Sequence, residues 1–359
     1  MKLRKRFRTR SAKGWADAGR EPDMVTIKDI SKACGVSPST VSKVLNGYKD
    51  ISQKTVDLVM DTAVSLGYTP NAAARMLKTN RSNSIGVLFV DNMQSGLRHE
   101  YFSGILNSLK EEAEAEGYDI TFISRGLGGR GMSYLEHCRY RKCDGVIIAC
   151  VDFSDPDVQE LVDSEIPVVT IDHLFDEKGA VMSDNYQGMM DLTDYICSLG
   201  HREIAFIHGE LTSVTRKRLA GFYKACEKWG IEVPPQFIRE AKYHDTASSA
   251  RVTRELLELG RRPSCIIYPD DFSFLGGRNQ LEAAGLSVPD DISVAGYDGI
   301  LLSQVLRPAL TTLQQDTDAI GRSAARMLIG AIEKPKTYVP ESIQISGKVL
   351  GGGSVKHIG

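Results

Sequence analysis

The sequence predicts a small all-α helix-turn-helix headpiece followed by an α/β body of two lobes with parallel sheets, and three observations predict it. The first is charge. Residues 1–80 hold 15 Lys+Arg against 7 Asp+Glu, a balance of +8, while 81–359 hold 29 against 39, a balance of −10, so the formal net charge of −2 hides a basic head on an acidic body. The second is a short stretch, Ser37 to Asn46, with one apolar and one polar face. The third is the change of pattern from Ser84 onward, where short β-branched runs alternate with longer helical segments. At 359 residues the chain exceeds one ordinary core and suits a small domain plus a larger one.

A basic head implies a nucleic-acid partner for the head alone. Residues 1–23 alternate basic, small and polar residues without periodicity. They read as a disordered arm that adds non-specific phosphate affinity, or as a leader upstream of a start at Met24. The charges at Lys2, Arg4, Lys5, Arg6, Arg8 and Arg10 precede no apolar segment, so this is no secretory signal, and no run reaches transmembrane length. The seven cysteines are scattered and contain no Cys-x-x-Cys, as expected of reduced thiols in a cytoplasmic protein. His137, Cys138 and Cys143 match no zinc spacing and read as ordinary helix residues.

The headpiece is expected over 24–69. A first helix over 26–34 is capped by Thr26 with Asp29 three residues on, buries Ile27, Ile30 and Ala33, and stops at Gly35. The tight Cys34-Gly35-Val36 connection then opens a second helix, with Ser37 as N-cap and Pro38 at the first helical position. Val41, Val44 and Leu45 form its inward stripe, while Ser39, Thr40, Ser42, Lys43 and Asn46 form the polar face. Two short helices joined by so tight a turn make a helix-turn-helix, and hydroxyls, an amide and one cation suit phosphates and base edges. A third helix over 52–66 buries Val56, Val59, Ala63 and Leu66. Beyond it, 70–83 is a linker: Pro70 breaks the helix, and the alanine run with Arg75 and Lys78 has helix propensity but little to bury, so it orders only when docked.

In the body, strands are expected at 85–90, 120–123, 146–149, 168–171, 204–207, 265–268 and 292–295. Helices are expected near 102–116, 132–141, 158–163, 189–199, 218–229, 250–259, 275–284 and 319–332. This alternation means right-handed βαβ units, and two sets mean two lobes: one of 84–184 with 315–340, the other of 185–314 with 341–359. Ligands of open parallel sheets sit beyond the carboxyl ends of strands, which directs attention to the residues just after them.

The motifs Val25-Thr26-Ile27-Lys28-Asp29-Ile30, Gly35-Val36-Ser37, Thr40-Val41-Ser42-Lys43-Val44-Leu45-Asn46-Gly47, Leu66-Gly67-Tyr68-Thr69-Pro70-Asn71 and Ala74-Arg75-Met76-Leu77 carry a resemblance to the lactose-repressor (LacI) family of transcription regulators. In the body it is carried by Gly200-His201-Arg202-Glu203-Ile204, Val288-Pro289-Asp290-Asp291-Ile292-Ser293-Val294-Ala295-Gly296-Tyr297-Asp298 and Leu310-Thr311-Thr312. The resemblance implies a periplasmic-binding-protein-like body and a homodimer on a near-palindromic operator; no heptad tail follows Ser354, which favours a dimer over a tetramer. It implies base reading by Pro38, Ser39 and Lys43, and backbone contacts by Thr26, Ser37, Thr40, Ser42 and Asn46. Leu77 matches the residue that wedges into the minor groove, with Arg75 and Lys78 beside it.

For the body, the resemblance implies a small-molecule effector in the inter-lobe cleft. Tyr101 and Phe102 match an aromatic pair that flanks it, and Arg216 and Arg218 match effector arginines. Asp172 and Asp184 follow strands in the first lobe, as Asp271 and Asp298 do in the second. His244 stands where relatives often have an aromatic residue, and Gly351-Gly352-Gly353-Ser354 replaces the usual Arg-containing motif. Carboxylates and guanidiniums converging on a cleft suit hydroxyl-rich ligands, so a sugar-like effector and a repressor of carbohydrate-utilisation genes are the expectation. The competing expectation is a nucleotide- or dinucleotide-responsive redox regulator, or an enzyme, on the same body. It rests on Gly126-Leu127-Gly128-Gly129-Arg130-Gly131, which satisfies G-x-G-x-x-G but follows the second strand rather than the first. No G-x-S-x-G, P-loop or H-E-x-x-H is present, so neither enzyme chemistry nor a cofactor nor a metal is expected.

Overall fold

A computed structural model describes residues 25–45, 48, 50–68, 81–90 and 96–358. The arm 1–23, Asn46, Arg75, Leu77 and Lys78 lie outside the described residues. The chain divides into two compact units, 1–80 and 81–359.

In the first unit, helices α1 (Ile27–Cys34), α2 (Pro38–Leu45) and α3 (Gln53–Ser65) close around Ile30, Val41, Val44, Val59 and Ala63. The Thr26 N–H and hydroxyl both donate to the Asp29 carboxylate (2.9 and 2.6 Å), which starts α1; Gly35, at φ 70°, ends it in the left-handed region that glycine enters without strain. Ser37 Oγ accepts from the Thr40 N–H at 3.1 Å and starts α2. The stripe of α1 differs from expectation: Ala33 is exposed, and Cys34 closes the face with Ile27 and Ile30. The reason is helical period, since i+7 returns to the face of i more closely than i+6 does. At the end of α3, Leu66 is likewise exposed.

The second unit holds two six-stranded sheets. In the first sheet β1 (Ser84–Phe89) is flanked by β2 (Asp119–Ile123) and β5 (Gly145–Ala149), followed by β6 (Val168–Ile171), β7 (Gly179–Ser183) and β13 (Ser342–Ile345), all parallel. In the second, the order is β14 (Lys348–Leu350), β12 (Thr311–Gln314), β11 (Ser293–Asp298), β10 (Cys265–Ile267), β8 (Ile204–His208) and β9 (Ile238–Glu240), parallel but for β14. Both faces of each sheet are covered, as parallel sheets require. In β1, Ile85 and Val87 join one core with Ile105, Leu109, Ile320 and Leu328, and Leu88 joins the other with Leu135, Ile148 and Leu161. Strand alternation does this: successive side chains leave on opposite faces.

Helices α4 (Glu100–Ala115), α5 (Tyr134–Arg141), α6 (Pro156–Val162) and α12 (Thr317–Glu333) cover the first sheet; α7 (Asn185–Ser198), α8 (Ser213–Lys228), α9 (Thr246–Leu257) and α10 (Phe274–Ala283) cover the second. A short α11 (Leu301–Val305) follows β11. The chain passes between the lobes after Ser183, after Gln314 and after Ile345. The last crossing corrects the expected lobe boundary at 341, because β13 pairs with β7 in the first sheet through Ile343↔Val181. Ser342-Ile343-Gln344-Ile345 is a half-exposed edge, too weakly apolar to stand out.

The glycine-rich 126–131 segment is a hairpin: β3 (Gly126–Leu127) pairs with β4 (Arg130–Gly131) around Gly128 and Gly129, both at positive φ. It opens no helix. The next helix begins two residues later than Met132, at Tyr134, and is well capped: Ser133 Oγ accepts from the Glu136 N–H, and the Ser133 N–H donates back to Glu136.

Close helix packing in the second lobe passes through glycine. A Cβ on Gly276 in α10 would stand 1.8 Å from the backbone oxygen of Thr246, at the start of α9, whereas a Cβ on Gly260 would meet nothing within 4 Å. Gly276→Ala is therefore expected to destabilise the body by about 2 kcal/mol or more, since backbone must give way. Gly260→Ala should shift the urea midpoint far less, and the two midpoints check the claim.

Candidate functional site

On the headpiece, Ser37, Pro38, Ser39 and Lys43 are exposed, while Thr40 and Ser42 are half-buried on the same helix. The Ser37 hydroxyl lies 2.7 Å from that of Ser39 and 2.9 Å from that of Thr40, so the three oxygens form one preset polar cluster at the start of α2. Lys43 Nζ donates to Asp50 at 2.6 Å, and that carboxylate holds the lysine above its ordinary pKa. An ammonium has three donors, so the contact orients the side chain and leaves two donors for a partner. The surface offers hydroxyls and one cation, and Pro38 adds only apolar contact.

In the body the cleft is built where strand ends meet. Arg218, on α8, is 5% exposed. Its Nε donates to Asn185 Oδ1 at 2.8 Å, its Nη1 to the Pro269 carbonyl at 3.0 Å, and its Nη2 lies 3.9 Å from Asp298. The guanidinium lies 3.6 Å from the centroid of the Tyr297 ring and 5.6 Å from that of Tyr243. Burial lowers its pKa, but Tyr243, Tyr297 and Asp298 more than offset this, and it stays a cation.

Asp298 is the last residue of β11 and accepts from Gln315 Nε2 at 2.7 Å. Burial pushes its pKa up to about 6 against the opposing pull of Arg218. From the first lobe, Asp172 accepts from the Ser183 N–H at 2.8 Å and from the Tyr101 hydroxyl at 3.2 Å. Burial raises the pKa of both Asp172 and Tyr101. Three cleft residues, Asp172, His244 and Asp298, hold positive φ (59°, 54° and 101°), a conformation that non-glycine residues adopt at a cost, and one that clusters at functional sites.

An aromatic column stands beside these groups. The His99 and His244 rings stack at 4.1 Å with 21° between planes, and His244 stacks on Phe272 at 4.1 Å and 15°. Phe102 meets His99 at 4.9 Å edge-on and packs on Phe89 at 5.2 Å. His244 is anchored by its N–H, which donates to Asp270 at 2.8 Å.

Of the expected effector residues, the structure brings together Tyr101, Phe102, Asp172, Arg218, His244 and Asp298. It places three elsewhere. Arg216 is exposed, because two residues of helix turn it about 200° from Arg218. Asp184 caps α7, accepting from the Gln187 N–H at 3.1 Å. Asp271 is fully buried, with one oxygen on Thr312 Oγ1 (2.6 Å) and the other on the Ile300 N–H (3.0 Å), so it fixes the loop after Asp298 from behind. Sequence reasoning missed His99, Asn185, Tyr243, Phe272 and Tyr297. Asn185 and Phe272 stand within a few residues after strands, where a rule about strand ends reaches them.

Comparison with known proteins decides the family. Residues 26–71 match the profile of "Bacterial regulatory proteins, lacI family", and 82–351 match "Periplasmic binding proteins and sugar binding domain of LacI family". The chain belongs to the LacI family. It is 31% identical over 338 residues to the HTH-type transcriptional repressor PurR of Escherichia coli O139:H28, covering 92% of this chain and 97% of the relative. It is 30% identical over 341 residues to the repressor of the same name from Mannheimia succiniciproducens, covering 93% and 100%. Among solved structures, a lac repressor dimer bound to operator and the anti-inducer ONPF superposes with a TM-score of 0.73 at 26% identity, covering 93% of this chain and 99% of that one.

As a LacI-family protein it is a DNA-binding transcriptional repressor with an effector-binding domain, and not an enzyme. Among the described residues no helix is long and apolar enough to cross a membrane, and no group of three acidic, His or Cys side chains is placed to hold a metal.

Asp298 supplies a pH test of the cleft. Its raised pKa means that its contribution to stability is full below the ordinary carboxyl range and is lost as pH rises through about 6. The stability of Asp298→Asn relative to the parent should therefore grow between pH 4 and pH 7, by up to about 3 kcal/mol for a shift of this size. Urea midpoints across that range read it, and a constant difference would contradict the assignment.

Proposed function

We propose that this LacI-family repressor binds its operator as a homodimer and is controlled by a small uncharged effector held in the inter-lobe cleft, one that offers a flat heteroaromatic ring of the purine-base class. The observation that carries the reading is the aromatic column: His99, His244 and Phe272 stack at the spacing and near-parallel tilt of flat rings, an arrangement that a planar base can join, and Phe102 meets His99 edge-on. The buried Arg218 and the half-buried Asp172 and Asp298 supply donors and acceptors for the polar edge of such a ring. With two carboxylates around one guanidinium, the cleft disfavours an anionic ligand.

On the DNA side, Ser39 and Lys43 read base edges, while Thr26, Ser37, Thr40, Ser42 and Asn46 grip the backbone. Two hydrogen-bonding readers per subunit are few. The dimer mate and a minor-groove wedge at Leu77, flanked by Arg75 and Lys78, complete the recognition. Effector binding shifts the balance between lobe arrangements and so the ordering of the linker on DNA.

A sugar effector is the second reading, favoured by the Arg218–Asp298 pair, which suits vicinal hydroxyls, and by the family description of the body as a sugar binding domain. A thermal-shift panel separates the two. Adenine, hypoxanthine and guanine should raise the melting temperature at micromolar to millimolar concentration, with ribose, glucose and cellobiose giving smaller shifts. Stabilisation by the sugars alone would overturn the planar-base reading.

A further inference from the structure

The column His99–His244–Phe272 raises a question that the cleft chemistry leaves open: why a histidine of this chain lies on the face that a planar ligand needs. His99 is the N-cap residue of α4, with extended backbone (φ −69°, ψ 103°), yet its side chain makes no capping bond. N-cap positions favour Ser, Thr, Asp or Asn, because a short oxygen-bearing chain satisfies the free N–H groups of the first turn. At this position the side chain is turned away from the helix and laid on His244 at 4.1 Å, within a box whose other walls are Phe102 at 4.9 Å and Tyr101 at 6.4 Å. The backbone role of His99 is separate: its carbonyl accepts from the Ser103 N–H at 2.8 Å whatever its ring does. A change in the position of the ring therefore leaves that backbone bond in place.

We infer that His99 is a built-in occupant of the effector's ring slot, an imidazole plug that a planar ligand replaces on the face of His244, and that it thereby sets both the affinity and the ring selectivity of the cleft. The proposal rests on the planar-base reading for the identity of the incoming ligand, but the occupancy of the slot by an imidazole does not. A ligand that meets a slot filled by the protein's own ring binds more weakly, in proportion to the fraction of time the slot is open. The slot also selects: a ring that stacks less well than imidazole on His244 regains less on displacing it, which disfavours puckered, fully saturated rings. His99 and the adjoining Glu100, which accepts from the Leu301 N–H at 2.5 Å, are consecutive first-lobe residues that engage the second lobe. Displacing the plug is therefore also a change in how the two lobes hold one another.

The test uses the full chain and two variants. His99→Ala empties the slot; His99→Asn empties it while supplying a helix-capping side chain, so that any loss of α4 stability is separated from loss of the plug. Imidazole, titrated into the low-millimolar range, should raise the melting temperature of both variants and leave that of the parent nearly unmoved. Hypoxanthine measured by calorimetry should bind both variants more tightly than the parent, by roughly three- to tenfold, the factor expected for one lost aromatic stacking competitor. Equal imidazole responses in parent and variants, or weaker hypoxanthine binding in both variants, would overturn the plug. If no purine base binds any of the three proteins while imidazole still stabilises only the variants, the plug stands and the planar-base reading falls.

Discussion

A buried guanidinium is the constraint from which the body's functional region follows. Taking Arg218 out of water costs several kcal/mol unless every N–H finds a partner and a counter-charge stands close by. The partners come from separate places in the chain. Asn185 stands where the chain first enters the second lobe, Pro269 lies just past β10, and Tyr297 and Asp298 close β11. Satisfying one side chain thus pins the carboxyl ends of that sheet into one arrangement. Asp271, buried behind them and bonded to Thr312 and Ile300, holds the loop that follows Asp298 from the other side. The first lobe meets this cluster with Asp172 and Tyr101, which are hydrogen-bonded to each other and to Ser183, so that fixed polar groups of both lobes face one cleft.

The electrostatics of such a site follow from its burial. Carboxyls largely withdrawn from water lose part of their preference for the charged form, and the Asp298 pKa rises to about 6. An effector that donates hydrogen bonds stabilises the ionised form, and one that accepts them stabilises the acid. The stacked rings of His99, His244 and Phe272 stand beside these polar groups. The headpiece works on a simpler principle. Its core of five small and medium apolar side chains is just enough to fix three helices, and the hydroxyl cluster at Ser37, Ser39 and Thr40 is preset by its own hydrogen bonds.

The architecture was legible because its signals are periodic. Ile27 and Ile30, Val41 and Val44, and the β-branched runs of β1, β5 and β6 announce their elements by spacing alone. Much of what escaped was short or half-exposed: β13 with its alternating Ser and Gln, the three-residue β9 and β14, and the hairpin at Gly128-Gly129, which mimics a phosphate loop in one dimension; β7 and β12 escaped although they are buried, because Gly-Ala-Val-Met-Ser and Thr-Thr-Leu-Gln carry few large apolar residues. The site divides the same way. Arg218 and Asp298, both named from the sequence, lie together in the cleft, whereas Arg216 does not join them, because sequence adjacency says nothing about helix face. His99, Tyr243 and Tyr297 were missed, since an aromatic residue near a strand end is more often core than site, and only the fold brings these rings to one cleft.

The central claim is that occupancy of the cleft in the body sets the affinity of the head for DNA. It is tested most directly by titrating the full chain onto a palindromic operator, selected from a library, with and without a saturating purine base that the cleft binds. The account predicts that the base moves the operator midpoint by tenfold or more while leaving binding to unrelated DNA of the same length in place, a coupling of roughly 1.4 kcal/mol or above. An operator midpoint that stays the same when the cleft is demonstrably filled would contradict it.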